Sequence, residues 1–330
     1  MGNKIKIGPI GLAHAHGEGK LLAVRKFPEL FEVVGICEDN EEVFEKRGGL
    51  EAYRDLPRMS EEELLSKVDA VLVECSPKNL TQTAKRCIEA GKHIHLDKPT
   101  TGSVEEYTAI INSAKEQELI VQLGYMYRYN PAIMKSFEII KTGGIGAIHT
   151  INAEMSTHHY ENSKTAMGRY KGGTMFIMGS HLIDLVVYLL GEPQNVTSFF
   201  KKTGYDGIDF EDNNLAVLEY DKAIARIYAS SVEVNGWGRR QFVVCGETGT
   251  ISILPIENDV AMTLSDLDIT KSHYADMKEA IDVEDIPKDS RYDTMVQDFA
   301  AYINGEKTNP FTYEHEIMVH KVLVDVCGEN

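Results

Sequence analysis

Through the first 123 residues, short apolar runs alternate with stretches whose apolar positions recur at helical spacing. Ile5-Lys6-Ile7-Gly8-Pro9-Ile10 reads as a first strand, and glycine-containing punctuation separates it from a helix over 17–27. A second strand is expected over 31–37, then helices over 40–46 and 61–66 and a strand over 68–74. The helix over 80–90 stops at Gly91, a glycine at the position that ends many helices. An apolar strand then runs into the charged turn Leu96-Asp97-Lys98-Pro99. Residues 103–118 open with Ser-x-x-Glu, a capping box, and 120–123 close the series as a strand. Strands and amphipathic helices in this alternation specify a doubly wound parallel sheet.

Beyond residue 124 the rhythm changes. A helix over 131–141 leads to a strand over 148–155, and a second helix over 179–190 ends at Gly191-Glu192-Pro193. Strand-like runs follow over 195–201, 214–220, 223–234 and 241–245. Gly246-Glu247-Thr248-Gly249-Thr250 supplies a hairpin turn before 251–253. The tail from 292 is helical again. Consecutive strands with short turns make this half an α+β domain on a mostly antiparallel sheet. The expected division is therefore 1–123 and 124–330.

At 330 residues the chain is long enough for two cores, and 43% hydrophobic residues is ordinary for a globular protein. The formal charge of −17 repels phosphate backbones, which argues against nucleic acid as a partner. No eighteen apolar residues run together and no leader pattern is seen, so neither a membrane nor a secretory route is expected. Five scattered cysteines, an odd number without paired spacing, suit reduced thiols and a cytoplasmic setting.

After the first strand the chain reads Gly11-Leu12-Ala13-His14-Ala15-His16-Gly17. A dinucleotide loop, Gly-x-Gly-x-x-Gly, brings backbone amides at a helix N-terminus up to a pyrophosphate. The first glycine is present, Ala13 replaces the second and His16 the third, which implies looser helix packing or a side chain turned outward. Glu38, at the end of the second strand, stands where a carboxylate accepts the adenosine ribose hydroxyls and repels a 2′-phosphate. Asp39 follows and no Arg or Lys does, so NAD is favoured over NADP. Lys98 sits at the carboxyl edge of the sheet, where open α/β sheets bind ligands, and Pro99 disfavours the helical region for it. A lysine there can hold a substrate oxygen, steer a cofactor or relay a proton.

With those pieces in place, the chain resembles the glucose–fructose oxidoreductase and inositol dehydrogenase family over nearly its whole length. Residues 68–73 through Ser76-Pro77-Lys78-Asn79 are similar to the family's strand and cofactor-flanking loop. Ala90-Gly91-Lys92-His93 through Asp97-Lys98-Pro99 is similar to its Ala-Gly-Lys-His…Glu-Lys-Pro motif, with Asp97 replacing the glutamate. Tyr127-Arg128-Tyr129-Asn130-Pro131 resembles the Arg-Phe-x-Pro entry to the second domain. Gly172-Gly173, Gly179, His181 and Asp184 resemble the helix Gly-Gly-Gly…Asp-x-Gly-x-His-x-x-Asp.

The resemblance implies a Rossmann-type domain followed by a substrate and oligomerisation domain, and a hydride exchanged with a hydroxyl-bearing carbon of a sugar or polyol. It makes Lys98 and His181 the catalytic pair. Gly11, Leu12, Ala13, His14, Glu38, Ser76, Asn79, Asp97 and Lys98 are then cofactor contacts, and Tyr127, Arg128, His158 and Asp184 substrate contacts. A homodimer or homotetramer is implied as well. One departure stands out. The family aspartate two residues before Gly179 is Ile177, so His181 acts alone, with Lys98, or with Asp184 one turn along.

Two other chemistries compete. The scaffold could be a non-catalytic NAD(H)-binding sensor, or a lyase or glycosidase-like enzyme that oxidises its substrate only transiently. His93, His95 and Asp97 alternate along one strand, with His14 and His16 after the first, in a pattern that could ligate zinc or iron. The buried middle of a parallel sheet argues against that, and no metal is expected. Trp237 between two glycines reads as a loop plug or a sugar platform.

Overall fold

The computed structural model describes residues 4–205, 207–266, 278–284 and 287–330. Met1, Gly2 and Asn3 lie outside those residues. The chain forms two compact units: Met1–Met126 with Pro287–His320, and Tyr127–Ile286 with Lys321–Asn330.

In the first unit β1 (Ile5–Ile10), β2 (Phe31–Val33), β3 (Ala70–Val73), β4 (His93–Leu96) and β5 (Val121–Leu123) form one parallel sheet in the order β2-β1-β3-β4-β5. The order reverses at β1, which makes its carboxyl end the place where such sheets take ligands. Five helices connect the strands: α1 (Gly17–Arg25), α2 (Glu41–Arg47), α3 (Glu61–Lys67), α4 (Pro77–Glu89) and α5 (Val104–Glu116). Residues of β3 are buried without alternation, as a strand covered by helices on both faces requires. Ser103 caps α5, its hydroxyl accepting the Glu106 amide at 3.1 Å, while the Glu106 carboxylate accepts from Gln82.

The second unit begins with α6 (Pro131–Lys141), which Asn130 caps by accepting the Ala132 and Ile133 amides. It continues through β6 (Ile148–Glu154), α7 (Glu161–Met167) and α8 (Ser180–Leu190), the last entered by a π-helical turn at Met175–Gly179. Then come β7 (Asn195–Lys201), β8 (Asn213–Glu219), β9 (Ile224–Ser230), β10 (Gln241–Gly246), β11 (Gly249–Ile253), β12 (Met262–Asp266) and β13 (Glu279–Ile281). The eight strands run β13-β12-β11-β10-β6-β9-β8-β7. Every pairing is antiparallel except β6 with β9, which is parallel because β6 comes from before the meander and inserts between β10 and β9. The short α7 was not anticipated; its seven polar-rich residues carry too little apolar spacing to mark a helix.

Helices α9 (Asp293–Ile303) and α10 (Tyr313–Cys327) form the tail. The expected division assigned all of it to the second half, yet residues up to His320 count with the first unit. Buried polar side chains hold them there. Gln122 accepts from His95 Nδ1 at 2.8 Å and donates to the Met295 carbonyl at 3.0 Å. His320 lies 2.9 Å from Thr100 Oγ1 and stacks on Tyr107 at 4.3 Å between ring centres. Such contacts join residues about 200 apart in sequence, and local periodicity carries no trace of them.

Candidate functional site

The loop after β1 is built around two glycines. Gly11 has φ 86°, and a Cβ on it would lie 2.5 Å from the Cys75 backbone, so only glycine fits. Gly17 lets α1 approach the sheet: a Cβ there would meet Glu74 at 3.1 Å and the Tyr53 hydroxyl at 3.2 Å. The packing glycine therefore falls one residue later than in Gly-x-Gly-x-x-Gly, and the looser packing inferred from His16 does not occur.

Glu38 is 8% exposed. Its Oε2 accepts the Leu12 amide at 2.8 Å and its Oε1 the Asn40 amide at 2.9 Å, which leaves each oxygen a second acceptor site. A cavity of about 310 Å³ opens beside it, lined by Gly11, Glu38, Asp39, Asn79 and Arg86 among others. Ser76 stands at the N-terminus of α4 on the same edge. Leu12 is fully buried, so only its backbone can serve a ligand, whereas Ala13 and Ala15 are exposed. The Gly11 and His14 amides bond the Cys37 and Glu74 carbonyls. This edge has room and polar groups for a dinucleotide: Glu38 keeps acceptor sites beside the cavity, and Ala13 and Ala15 leave part of the loop open. Two guanidiniums that the motifs did not mark also flank it. Arg58 donates to the Glu38 carbonyl at 2.7 Å and pairs with Glu41 at 2.8 Å, and Arg86 pairs with Glu61 at 2.5 and 2.9 Å.

Deeper in the first unit lies a charged cluster that the sequence only half discloses. Lys20, Glu74 and Asp97 have fully buried side chains. Lys20 Nζ is 3.1 Å from Glu74 Oε1 and 3.0 Å from Asp97 Oδ2. His14 Nδ1 comes within 2.5 Å of the same Asp97 oxygen and His16 Nδ1 within 3.9 Å. Burial opposes ionisation of Asp97, but His14 and Lys20 outweigh it and hold its carboxyl well below the usual range. Burial pushes the Glu74 carboxyl well above that range. It also works against the Lys20 ammonium, which Asp97 and Glu74 nevertheless keep charged. Burial lowers His16 to about 4, although a third of its side chain reaches solvent. The sequence marked His14, His16 and Asp97 but not their buried partners Lys20 and Glu74, the latter visible only as an acid closing an otherwise apolar strand.

Lys98 is 2% exposed, its amide donates to Asp97 Oδ1 at 2.7 Å, and its peptide bond to Pro99 is cis. The alternation of His93, His95 and Asp97 does not assemble a ligand set. His95 faces Gln122 and the edge of Phe299, and His93 Nδ1 accepts the Ile120 amide at 2.9 Å. The histidines that meet Asp97 are His14 and His16.

In the second unit, His181 is 2% exposed on the first turn of α8, with its ring centre 5.2 Å from that of Tyr127. Ile177 lies in the π-helical turn before it. Asp184 and Arg128 form an enclosed pair: Nε is 2.9 and 3.1 Å from the two carboxylate oxygens and Nη2 is 2.6 Å from Oδ1. Both side chains are fully buried, so this pair braces α8 against the 126–129 turn. The Tyr127 hydroxyl donates to Glu257, which Arg240 pairs at 2.8 Å. Arg240 also lies 3.9 Å over the Trp237 ring, so that tryptophan is held as a packing surface with 36% exposure. His158 is exposed, while its neighbour His159, unmarked by any motif, turns inward and is lowered to about 4 by burial and then by Arg240.

Residues 5–125 match the family model described as an oxidoreductase family with an NAD-binding Rossmann fold, GFO/IDH/MocA. Residues 133–252 match the GFO/IDH/MocA C-terminal domain. A myo-inositol 2-dehydrogenase of Thermotoga maritima is 27% identical over 257 residues, covering 69% of this chain and 74% of that protein. The NADP(+)-named scyllo-inositol 2-dehydrogenase IolW of Bacillus subtilis is 28% identical over 152 residues, covering 44% and 41%. Against the first three curated relatives the chain spans 41%, 63% and 53% of their lengths. Among solved structures, UDP-N-acetylglucosamine 3-dehydrogenase GnnA of Acidithiobacillus ferrooxidans superposes with a TM-score of 0.79 at 20% identity, over 99% of this chain and 97% of that one. At that identity the likeness is one of fold.

Proposed function

The chain belongs to the GFO/IDH/MocA oxidoreductase family, and on that premise we propose that it transfers a hydride between a nicotinamide dinucleotide and a hydroxyl-bearing carbon of a sugar, polyol or related small molecule. The observation that carries the reading is the edge of the first sheet. There, Gly11, Glu38 and Asn79 line a cavity of about 310 Å³ and a buried lysine stands at the end of β4. The nicotinamide, when bound, supplies or accepts the hydride. NAD is the preferred dinucleotide, because the Glu38 carboxylate accepts ribose hydroxyls and repels a 2′-phosphate. That preference parts company with the NADP(+)-named relative.

Lys98 holds the reacting oxygen, its stem enclosed so that the ammonium is delivered in few conformations. His181 exchanges the hydroxyl proton. It does so without the aspartate that other family members carry at the position of Ile177. Supporting this assignment are the burial of His181 and the ring of Tyr127 packed beside it.

The test separates binding from chemistry. On a substrate that supports NADH formation, Lys98→Met and His181→Asn should each lower kcat by about 10²–10⁴-fold at saturating NAD, and His181→Asn should leave NADH affinity little changed. Wild-type turnover in Lys98→Met would refute the role given to the lysine. Saturable NADH binding with no turnover on any substrate would favour a sensor.

A further inference from the structure

We infer that His14, His16 and Asp97 form a binding site for a divalent transition cation, of which zinc is the first choice and ferrous iron the second. One potential ligand atom from each residue lies within 4.8 Å of the others. Two imidazoles and one carboxylate are a donor set that zinc and iron favour, and three protein ligands leave coordination positions open.

The local hydrogen bonding points to an ion. The His16 amide is directed at His14 Nδ1 at 3.4 Å, which marks that nitrogen as an acceptor. Asp97 Oδ2 can only accept when ionised. The two acceptors nevertheless stand 2.5 Å apart, closer than an ordinary N–H···O bond. Asp97 Oδ2 is fully buried and neither His14 nor Lys20 is aligned to hydrogen-bond it, despite their proximity. Donor atoms of three residues that converge on one point are an arrangement a cation can bridge.

The distances bracket what such an ion needs. Bonds of about 2.0–2.1 Å at tetrahedral angles hold two ligand atoms about 3.3 Å apart. The observed separations of 2.5 Å and 3.9 Å fall on either side, and shifts of under about 1 Å, within side-chain rotation, equalise them. Exposure of 11% for His14 and 34% for His16 leaves an entry path. The neighbouring Ala13 and Ala15 are exposed too, so the open coordination positions are reached by water or by an anionic oxygen of a ligand. Lys20, 3.0 Å from the same carboxylate oxygen, keeps that carboxylate ionised from the buried side. One departure from the glycine loop thereby acquires a function: His16, which stands at its third glycine position, is a ligand.

Metal binding is measured without dinucleotide or substrate, so its outcome is independent of the proposed hydride chemistry. Full-length protein is stripped with chelator and titrated calorimetrically with zinc chloride, and as-purified protein is analysed for metal by mass spectrometry. One zinc per chain should bind, and His16→Gln should weaken it by at least about tenfold. The exposed His149→Gln should bind as wild type does. A cobalt(II) absorption spectrum of the wild type gives a second measurement should His16→Gln fail to fold, with ligand-field bands of a low-coordinate nitrogen and oxygen site expected. No stoichiometric zinc in the wild type, equal affinity in wild type and folded His16→Gln, or a cobalt spectrum of the hexaaqua ion would each overturn the site.

Discussion

Glu38 joins the Leu12 amide of the glycine loop to the Asn40 amide at the start of α2 through hydrogen bonds of 2.8 and 2.9 Å. Removing its carboxylate takes away the ribose acceptor and the charge that repels a phosphate. Glu38→Ala should therefore weaken NAD(H) and narrow the preference over NADP(H), with the difference shrinking as salt is added. Calorimetry with both dinucleotides checks this, and tighter binding of NADP(H) by the wild type would contradict it. Arg58 and Arg86 sharpen the experiment, since both guanidiniums remain at that edge when the Glu38 carboxylate is gone. Motif position alone marked Glu38, Asn79 and Lys98. It could not mark Lys20, because a lysine at one turn of an amphipathic helix reads as a surface residue until its partners across the sheet are known. His16 was marked as an irregularity, and its direction toward Asp97 needed the fold.

The elements of the first unit were legible because each local period agrees with the global fold: buried strands, amphipathic helices, glycine at their ends. The return of α9 and α10 was not, since it depends on buried polar pairs between distant segments. Those pairs include two histidines kept neutral, His95 lowered to about 3 and His320 to about 4, mainly by burial. In the unfolded chain both take up protons near pH 6.5. The unfolded state thus binds more protons than the native one from there down to the folded values, and stability falls as pH drops through that window. The melting temperature should decline between about pH 7 and pH 5. The decline should be shallower in His320→Gln, which lacks one of these groups, His16 and His159 being lowered in the same direction. An unchanged pH slope in that variant would show that His320 does not contribute.

At the scale of the whole molecule, the mixed sheet of the second unit presents one open face. Phe199, Leu215 and Tyr228 stand opposite one another across β7, β8 and β9, with Ile224 two rows away on the same face. Phe199 is 51% and Ile224 53% exposed. Alternation predicted these strands, but the parallel insertion of β6 beside β9 joins segments that no local pattern links. We expect this face to join copies of the chain into a homodimer or homotetramer. Phe199→Glu should shift the mass measured by light scattering toward the monomer, and a monomeric wild type would remove the expectation.

The account rests most heavily on hydride transfer. Its most direct test is the near-ultraviolet absorbance of NADH while wild-type protein is incubated with NAD and a panel of inositols, sugars and sugar nucleotides. The account predicts sustained NADH formation with at least one polyol or sugar, lost in Lys98→Met even when that variant is saturated with NAD. No formation of NADH or NADPH across the panel, by protein shown to bind the dinucleotide, would contradict it.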